Sequence, residues 1–339
     1  MTIKKFLLFI LSFNLLITGG CINLQVQAPV TPEEITPPKD ISAPFLFGKG
    51  KKTWIFATAG SNVLDVYRTK GPLLDYLGNK LNVRFRISFY RDYKHIVKAM
   101  INGHCHLAWL GPVTYLNTRN KIKCTPLAQV MIDGINFYKS VIIMRKGDGY
   151  SQLSDLKNKS FAFTNQNSTS GYIYPWNYLN DKGISPKSFF SKIDFAGSHS
   201  NAIVRLISGQ YAAVAVEENA LKRLKNKIDT SSITILTEAG NIPNGPIAAH
   251  PDLPLELANK IKHALINMNN DKEGRKLLKK LSGKVDFTGF REVSDKVYDK
   301  VRDKIEAVNK VTNKVEAINK VTNKAEAINK MTNKVEAVK

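Results

Sequence analysis

Short apolar runs alternate with helical segments of about ten residues along most of this chain, and that rhythm constrains the fold more than any other feature. Trp54–Thr58 reads as a strand. Asp65–Gly78 follows as a helix, with Val66, Leu73, Leu74 and Leu77 on one face and a glycine at its end. Val83–Phe89 alternates as a strand, and Tyr93–Ile101 is helical through Ile96, Val97 and Met100. Leu107–Leu110 is a short strand, after which Pro112 suits the first turn of a helix. Leu127–Met131 and Tyr138–Met144 read as further strands. A second run repeats the pattern: strands at Phe161–Phe163, Ile193–Phe195, Ala212–Val216 and Ile233–Leu236, helices at Ser170–Leu179, Ala202–Ile207 and Glu218–Leu224. Residues 250–300 are mostly helical. The alternation predicts an α/β architecture with mostly parallel sheets. Two runs joined near residues 145 and 240 predict two lobes, one from 51–145 with 240–300, the other from 146–239. A hydrophobic content of 43% against 23% charged residues supplies a core for both.

The two ends differ from this body. Lys4 and Lys5 precede the apolar stretch Phe6–Ile17, then Thr18-Gly19-Gly20 and Cys21. Residues 1–20 have the layout of a secretory signal. They also resemble the lipobox of bacterial lipoproteins, which implies that Cys21 is lipidated and holds the chain to a membrane; Thr18 departs from the usual leucine, and a plain cleaved signal is the other reading. No other stretch is apolar enough to meet a membrane, which excludes a polytopic protein. Residues 21–50 contain Pro29, Pro32, Pro37, Pro38 and Pro44 and read as a semi-extended tether. From 301 to 339 a ten-residue unit recurs nearly verbatim, as in Asn309–Ile318 and Asn319–Ile328. Its apolar positions allow an amphipathic helix, but on a straight helix the stripe slips about 80° per repeat. This tail reads as a marginal helix or disordered appendage, with an oligomerisation coil as the alternative.

The formal net charge of +22 favours an anionic partner. No Lys/Arg run interleaved with aromatics marks a nucleic-acid surface, so nucleic acid is not an expected partner. Asn167-Ser168-Thr169-Ser170-Gly171 lies between a predicted strand and a predicted helix. Such a turn aims backbone N–H groups and the positive helix end at an anion. Its consecutive hydroxyls add donors without charge, and Gly171 would let a ligand approach the backbone. An ordinary helix cap is the plainer reading of that segment alone.

Further landmarks appear in order around it: Arg91-Asp92-Tyr93; Ala108-Trp109-Leu110-Gly111-Pro112 with Tyr115; Tyr138-Lys139-Ser140-Val141; Gly197-Ser198-His199; Ala213–Glu217; and Ile242-Pro243-Asn244-Gly245-Pro246-Ile247. From about Trp54 to about Phe290 the chain resembles the phosphate, phosphite and phosphonate-binding proteins of ABC transporters, the PhnD-like family. The resemblance implies a two-lobe type II periplasmic-binding-protein fold with mixed sheets and a two-strand hinge. It implies an extracytoplasmic receptor, with no catalytic activity and no cofactor, that delivers a small phosphorus oxyanion to the transmembrane permease subunit. Ser168, Thr169 and Ser170 would hold the oxyanion. Tyr93 and Tyr138 would pack on it, His199 would donate to it, and Glu217, with Glu218 as the register alternative, would accept from a protonated oxygen or an amine. Where aminoalkylphosphonate binders of the family carry an acid in the IPxxP segment, this chain has Gly245. That departure favours phosphate, phosphite or a small alkylphosphonate. His106 and Tyr211 also depart, standing where an Asp and a branched aliphatic are usual.

Other constellations carry less. His104 and His106 form a conceivable metal pair on one strand face, without a placed third ligand. Cys105 and Cys124 could pair in an exported protein. Ser168 or Ser170 with His199 lacks the GxSxG elbow of a hydrolase. A ligand-sensing lipoprotein that signals to a partner through its tail is the alternative function.

Overall fold

The computed structural model describes residues 46–59, 63–90, 92–225, 227–281, 287–311 and 313. The expected signal with Cys21, Arg91, and all but residues 46–50 of the expected tether lie outside them.

Thr53–Ala59 (TWIFATA) lies at the heart of the first sheet, its apolar residues buried on both faces. It pairs in parallel with Arg84–Tyr90 on one side and Leu107–Trp109 on the other. Strands covered on both faces read as near-continuous apolar runs. Pro246–Ala249 then enters antiparallel between Leu107–Trp109 and Thr125–Met131, and Gly289–Arg291 pairs antiparallel outside the latter. Among the described residues this sheet has seven strands. The second has five, in the order 233–243, 137–145, 213–217, 160–163, 192–195. Strand 137–145 is antiparallel to both of its neighbours, 233–243 and 213–217, and the last two strands run parallel to 213–217. The sheets are therefore mixed, not mostly parallel as the strand–helix rhythm alone suggested. Antiparallel pairing arises where the chain returns from one sheet to the other, which local periodicity does not encode.

Phe137–Arg145, which falls within the span 51–145 expected for the first lobe, is hydrogen-bonded along its length to Ile233–Pro243 in the second sheet. The chain crosses between the sheets near 132–136 and 243–246. Two buried amides knit these crossings together. The Gln129 amide donates to the carbonyls of Asn136 (3.2 Å) and Asn244 (3.0 Å). The Asn244 amide donates to those of Val130 and Ile135, both at 3.0 Å. The two-strand hinge is thus a hydrogen-bonded hub.

The boundary at 301 is also corrected. A helix spans 299–311, and Val301 and Val308 are buried in the same core cluster as Tyr115, Phe161 and Trp176, with Ile305 packed against it. The Asn177 side chain donates to the Lys304 carbonyl at 3.0 Å. Val311, the next apolar position of the repeat, is turned outward at 42% exposure. That is the slip expected when a ten-residue period is laid on a 3.6-residue helix. The remaining repeats lie outside the described residues.

Cys105 and Cys124 are buried free thiols, each pushed up to about 12 by burial. His104 is exposed and precedes the strand. His106 Nδ1 accepts the Ile55 amide, and its ring stands edge-on to Trp54. The two histidines do not share a strand face. Among the described residues no helix is long and apolar enough to cross a membrane.

Candidate functional site

A cavity of about 380 Å³ is lined by residues attached to both sheets. Tyr93, Tyr138, Ser168, Thr169, Ser170, His199 and Glu217 all line it, so the seven positions named from sequence are brought to one place.

The hydroxyl turn is built from its backbone upward. The strand Ser160–Phe163 ends, and Thr164 N donates back to the Gly171 carbonyl at 3.0 Å. Ser168 caps a π-helical turn, Thr169–Ile173, which opens the helix Tyr174–Asp181. The regular helix expected from Ser170 is thus widened in its first turn, a feature common at functional sites. Ser168 Oγ accepts the Gly171 amide at 3.0 Å, and Thr169 Oγ1 accepts the Val113 amide at 3.1 Å. A hydroxyl whose lone pair is already engaged keeps its O–H for a further acceptor. Ser140 Oγ donates to the Ser170 carbonyl at 2.7 Å and fixes the far side of the turn. Tyr138 lies against this turn; its ionisation is pushed well up, first by burial and then by Glu217, with the Ser170 and Thr169 side chains opposing the shift.

Gly171 serves a purpose other than the one expected. A Cβ there would fall 1.8 Å from Thr164 Oγ1, so the glycine lets the turn pack against its own strand end.

Tyr93 opens the helix Tyr93–Ile101, whose cap Asp92 accepts the Lys94 amide at 2.6 Å. Burial, reinforced by Glu217, pushes its hydroxyl up to about 12, so it is a neutral donor. His199 opens the helix His199–Ile207 behind the cap Ser198. Its Nδ1 accepts the Glu217 amide at 3.2 Å, which leaves the proton on Nε2 in the neutral ring. Burial holds its pKa below the ordinary value; Arg223 adds to the shift and Glu217 opposes it. Glu217 ends the strand Ala213–Glu217 and is ion-paired with Arg223. Burial would raise its pKa, but the charges of Arg223 and His199 outweigh burial and hold the carboxyl below the ordinary range.

Three features escaped the sequence reading. Arg223 lines the cavity, and only its position six residues after Glu217 hinted at this. The first turn of the helix Pro112–Ile122 also faces the cavity through Gly111, Pro112 and Thr114. Thr114 Oγ1 there is buried without a hydrogen-bond partner among the described residues. A buried orphan hydroxyl is costly unless something else satisfies it. Third, Gly245 is closed to any side chain, since a Cβ would fall 1.9 Å from the Leu110 carbonyl oxygen.

The N-terminal turns that begin at 112, 169 and 199 therefore all line one hollow and bring their positive dipole ends to it. Such an arrangement suits a small oxyanion. A family model described as ABC transporter, phosphonate, periplasmic substrate-binding protein matches residues 60–298. The chain belongs to this family. It is 28% identical over 232 residues to the phosphonates-binding periplasmic protein of Escherichia coli (strain K12), covering 66% of this chain and 67% of that one. It is 27% identical over 219 residues to the phosphate-import protein PhnD of Mycolicibacterium smegmatis, covering 61% and 68%. Its fold matches that of PhnD1 from Prochlorococcus marinus in complex with methylphosphonate, with a TM-score of 0.68 and 21% identity over 76% of this chain and 99% of that chain. The architecture is the type II periplasmic-binding-protein fold, and the family is one of extracytoplasmic substrate-binding components of ABC transporters, not of enzymes.

Proposed function

We propose that this protein is a lipid-anchored receptor that captures phosphonate, phosphite or phosphate in the cleft between its lobes and passes it to an ABC permease. The convergence of the Ser168, Thr169 and Ser170 hydroxyls with three helical N-termini on one cavity carries this reading. The names of the relatives support it: one binds phosphonates, one imports phosphate, and a structural neighbour holds methylphosphonate. Ser168, Thr169, Ser170 and His199 Nε2 would donate to the oxyanion, with Tyr93 and Tyr138 packed around it. Glu217 would act indirectly, by holding His199 and Arg223 in place. Residues 1–20 would direct export, Cys21 would carry the lipid, and 21–50 would give the lobes reach. The cationic body would speed encounter with anions.

Calorimetry of the mature chain against phosphate, phosphite and methylphosphonate tests the reading. Micromolar or tighter binding to one of them is expected, and binding to none rejects it. Palmitate labelling that is lost in Cys21→Ala tests the anchor.

One observation favours ligand sensing as a second reading. The segment leading into the repeats touches both lobes: Tyr115 Oη donates to Asp295 at 2.7 Å, and the Asn177 side chain donates to the Lys304 carbonyl at 3.0 Å. Truncation after 311 keeps that packed helix. Transport that survives it supports delivery, whereas loss of a signalling output with binding intact supports sensing.

A further inference from the structure

Among the described residues that line the cavity, the charged ones are Lys70, Glu217, Arg223 and Lys227. Glu217 is therefore the one carboxylate among them, and it is ion-paired with Arg223. Its side chain is the more enclosed partner, 21% exposed against 38% for the arginine. Arg223 sits on the helix Glu218–Leu224 and folds back over the start of that helix to reach it. Its neighbour Lys222 pairs with Asp133, on the turn before the hinge strand, at 3.5 Å. On another wall, Gly245 cannot gain a side chain without displacing the Leu110 carbonyl.

These facts bear on the part of a ligand that is not the oxyanion. An ammonium group enclosed in a cleft needs a carboxylate to replace its water. Here the carboxylate is engaged, and the remaining charges are cations. An apolar substituent meets no such conflict, and an acidic one would find counter-charge.

We propose that Arg223 is a specificity-determining residue. By neutralising Glu217 it bars phosphonates that carry an ammonium group and leaves the cavity to phosphorus oxyanions whose remaining substituent is apolar or acidic. This inference rests on the reading of the cavity as a phosphorus-oxyanion site.

The test is the ratio of affinities for 2-aminoethylphosphonate and methylphosphonate, measured by calorimetry on the mature chain. The wild type favours methylphosphonate. Arg223→Gln frees the carboxylate and moves the ratio at least about tenfold toward the amine, the scale of one charged hydrogen bond. Because Lys227 also lines the cavity and could replace the arginine as partner, R223Q/K227Q is measured beside it. Adding E217Q abolishes the gain. Equal wild-type affinity for both ligands overturns the inference, as does an unchanged ratio in both variants or a gain that persists with E217Q. Wild-type binding to neither ligand overturns the underlying reading together with the inference. If the arginine variants do not fold, E217Q alone decides. It leaves Arg223 without its carboxylate and should tighten phosphonoacetate relative to methylphosphonate; no tightening overturns the inference.

Discussion

The two walls of the cavity are built on different principles. The wall from the second sheet is finished before any ligand arrives. Ser168 Oγ and Thr169 Oγ1 already accept backbone amides, Ser140 pins the turn from behind, and all three residues of the turn are nearly fully buried. The wall from the first sheet is looser, with Thr114 Oγ1 unpartnered and Tyr93 half-buried at a helix start. A wall whose donors are fixed by the fold loses little freedom on binding, so affinity should reside mainly there. The other wall should complete the enclosure and contribute less.

Ser168→Ala with Ser170→Ala should break this contrast most severely. Each donor lost to a charged group is worth about 1.5–3 kcal/mol, so the pair should weaken oxyanion binding by several hundredfold or more in calorimetry. Near-normal affinity would place the binding wall elsewhere. Gly171→Ala tests the packing beneath the same wall. Its Cβ cannot coexist with Thr164 Oγ1, and overpacking of this kind costs about 1–3 kcal/mol, read as a lowered melting temperature. Thr114→Val removes the unpartnered hydroxyl of the looser wall at nearly constant volume. The ligand-free protein should be as stable or slightly more so, while affinity falls by about 1 kcal/mol. By contrast, Thr169→Val orphans the Val113 amide and should lower both stability and affinity.

The smallest effect concerns His199. Its folded-state pKa lies below the ordinary value, so the unfolded chain takes up a proton first as the pH falls. Stability from this group is therefore complete above the unfolded value near 6.5 and declines as pH drops through it toward the lowered one. Denaturant melts between pH 7.5 and 5.5 should show a shallow loss that His199→Gln removes.

Much of this was legible in the sequence because it is local. A strand, a turn of small hydroxylated residues and a helix follow one another at 160–181, and chain order alone places an N-terminus there. The family landmarks then bring Tyr93, Tyr138, His199 and Glu217 into register with that turn, and they line the same cavity. What could not be read is set by contacts between distant segments. Asn244 stands in the Ile242–Ile247 motif, yet its work as the hinge amide depends on carbonyls of Val130 and Ile135, more than a hundred residues earlier. The antiparallel entry of Pro246–Ala249 is of the same kind. Arg223 looks like any basic residue in the last turn of a surface helix, where cations are favoured anyway. The helix at 299–311 was hidden by its repeat: a period unsuited to continuous burial still permits one copy to dock.

The tight seat of Gly245 also limits what substitution can do at that wall. No single substitution at that position can install an acid without moving the backbone of the neighbouring strand end, so this wall cannot be given a carboxylate directly. A change of ligand preference by substitution would have to come from side chains with room to move, such as those of the helix Glu218–Leu224 along the cavity wall.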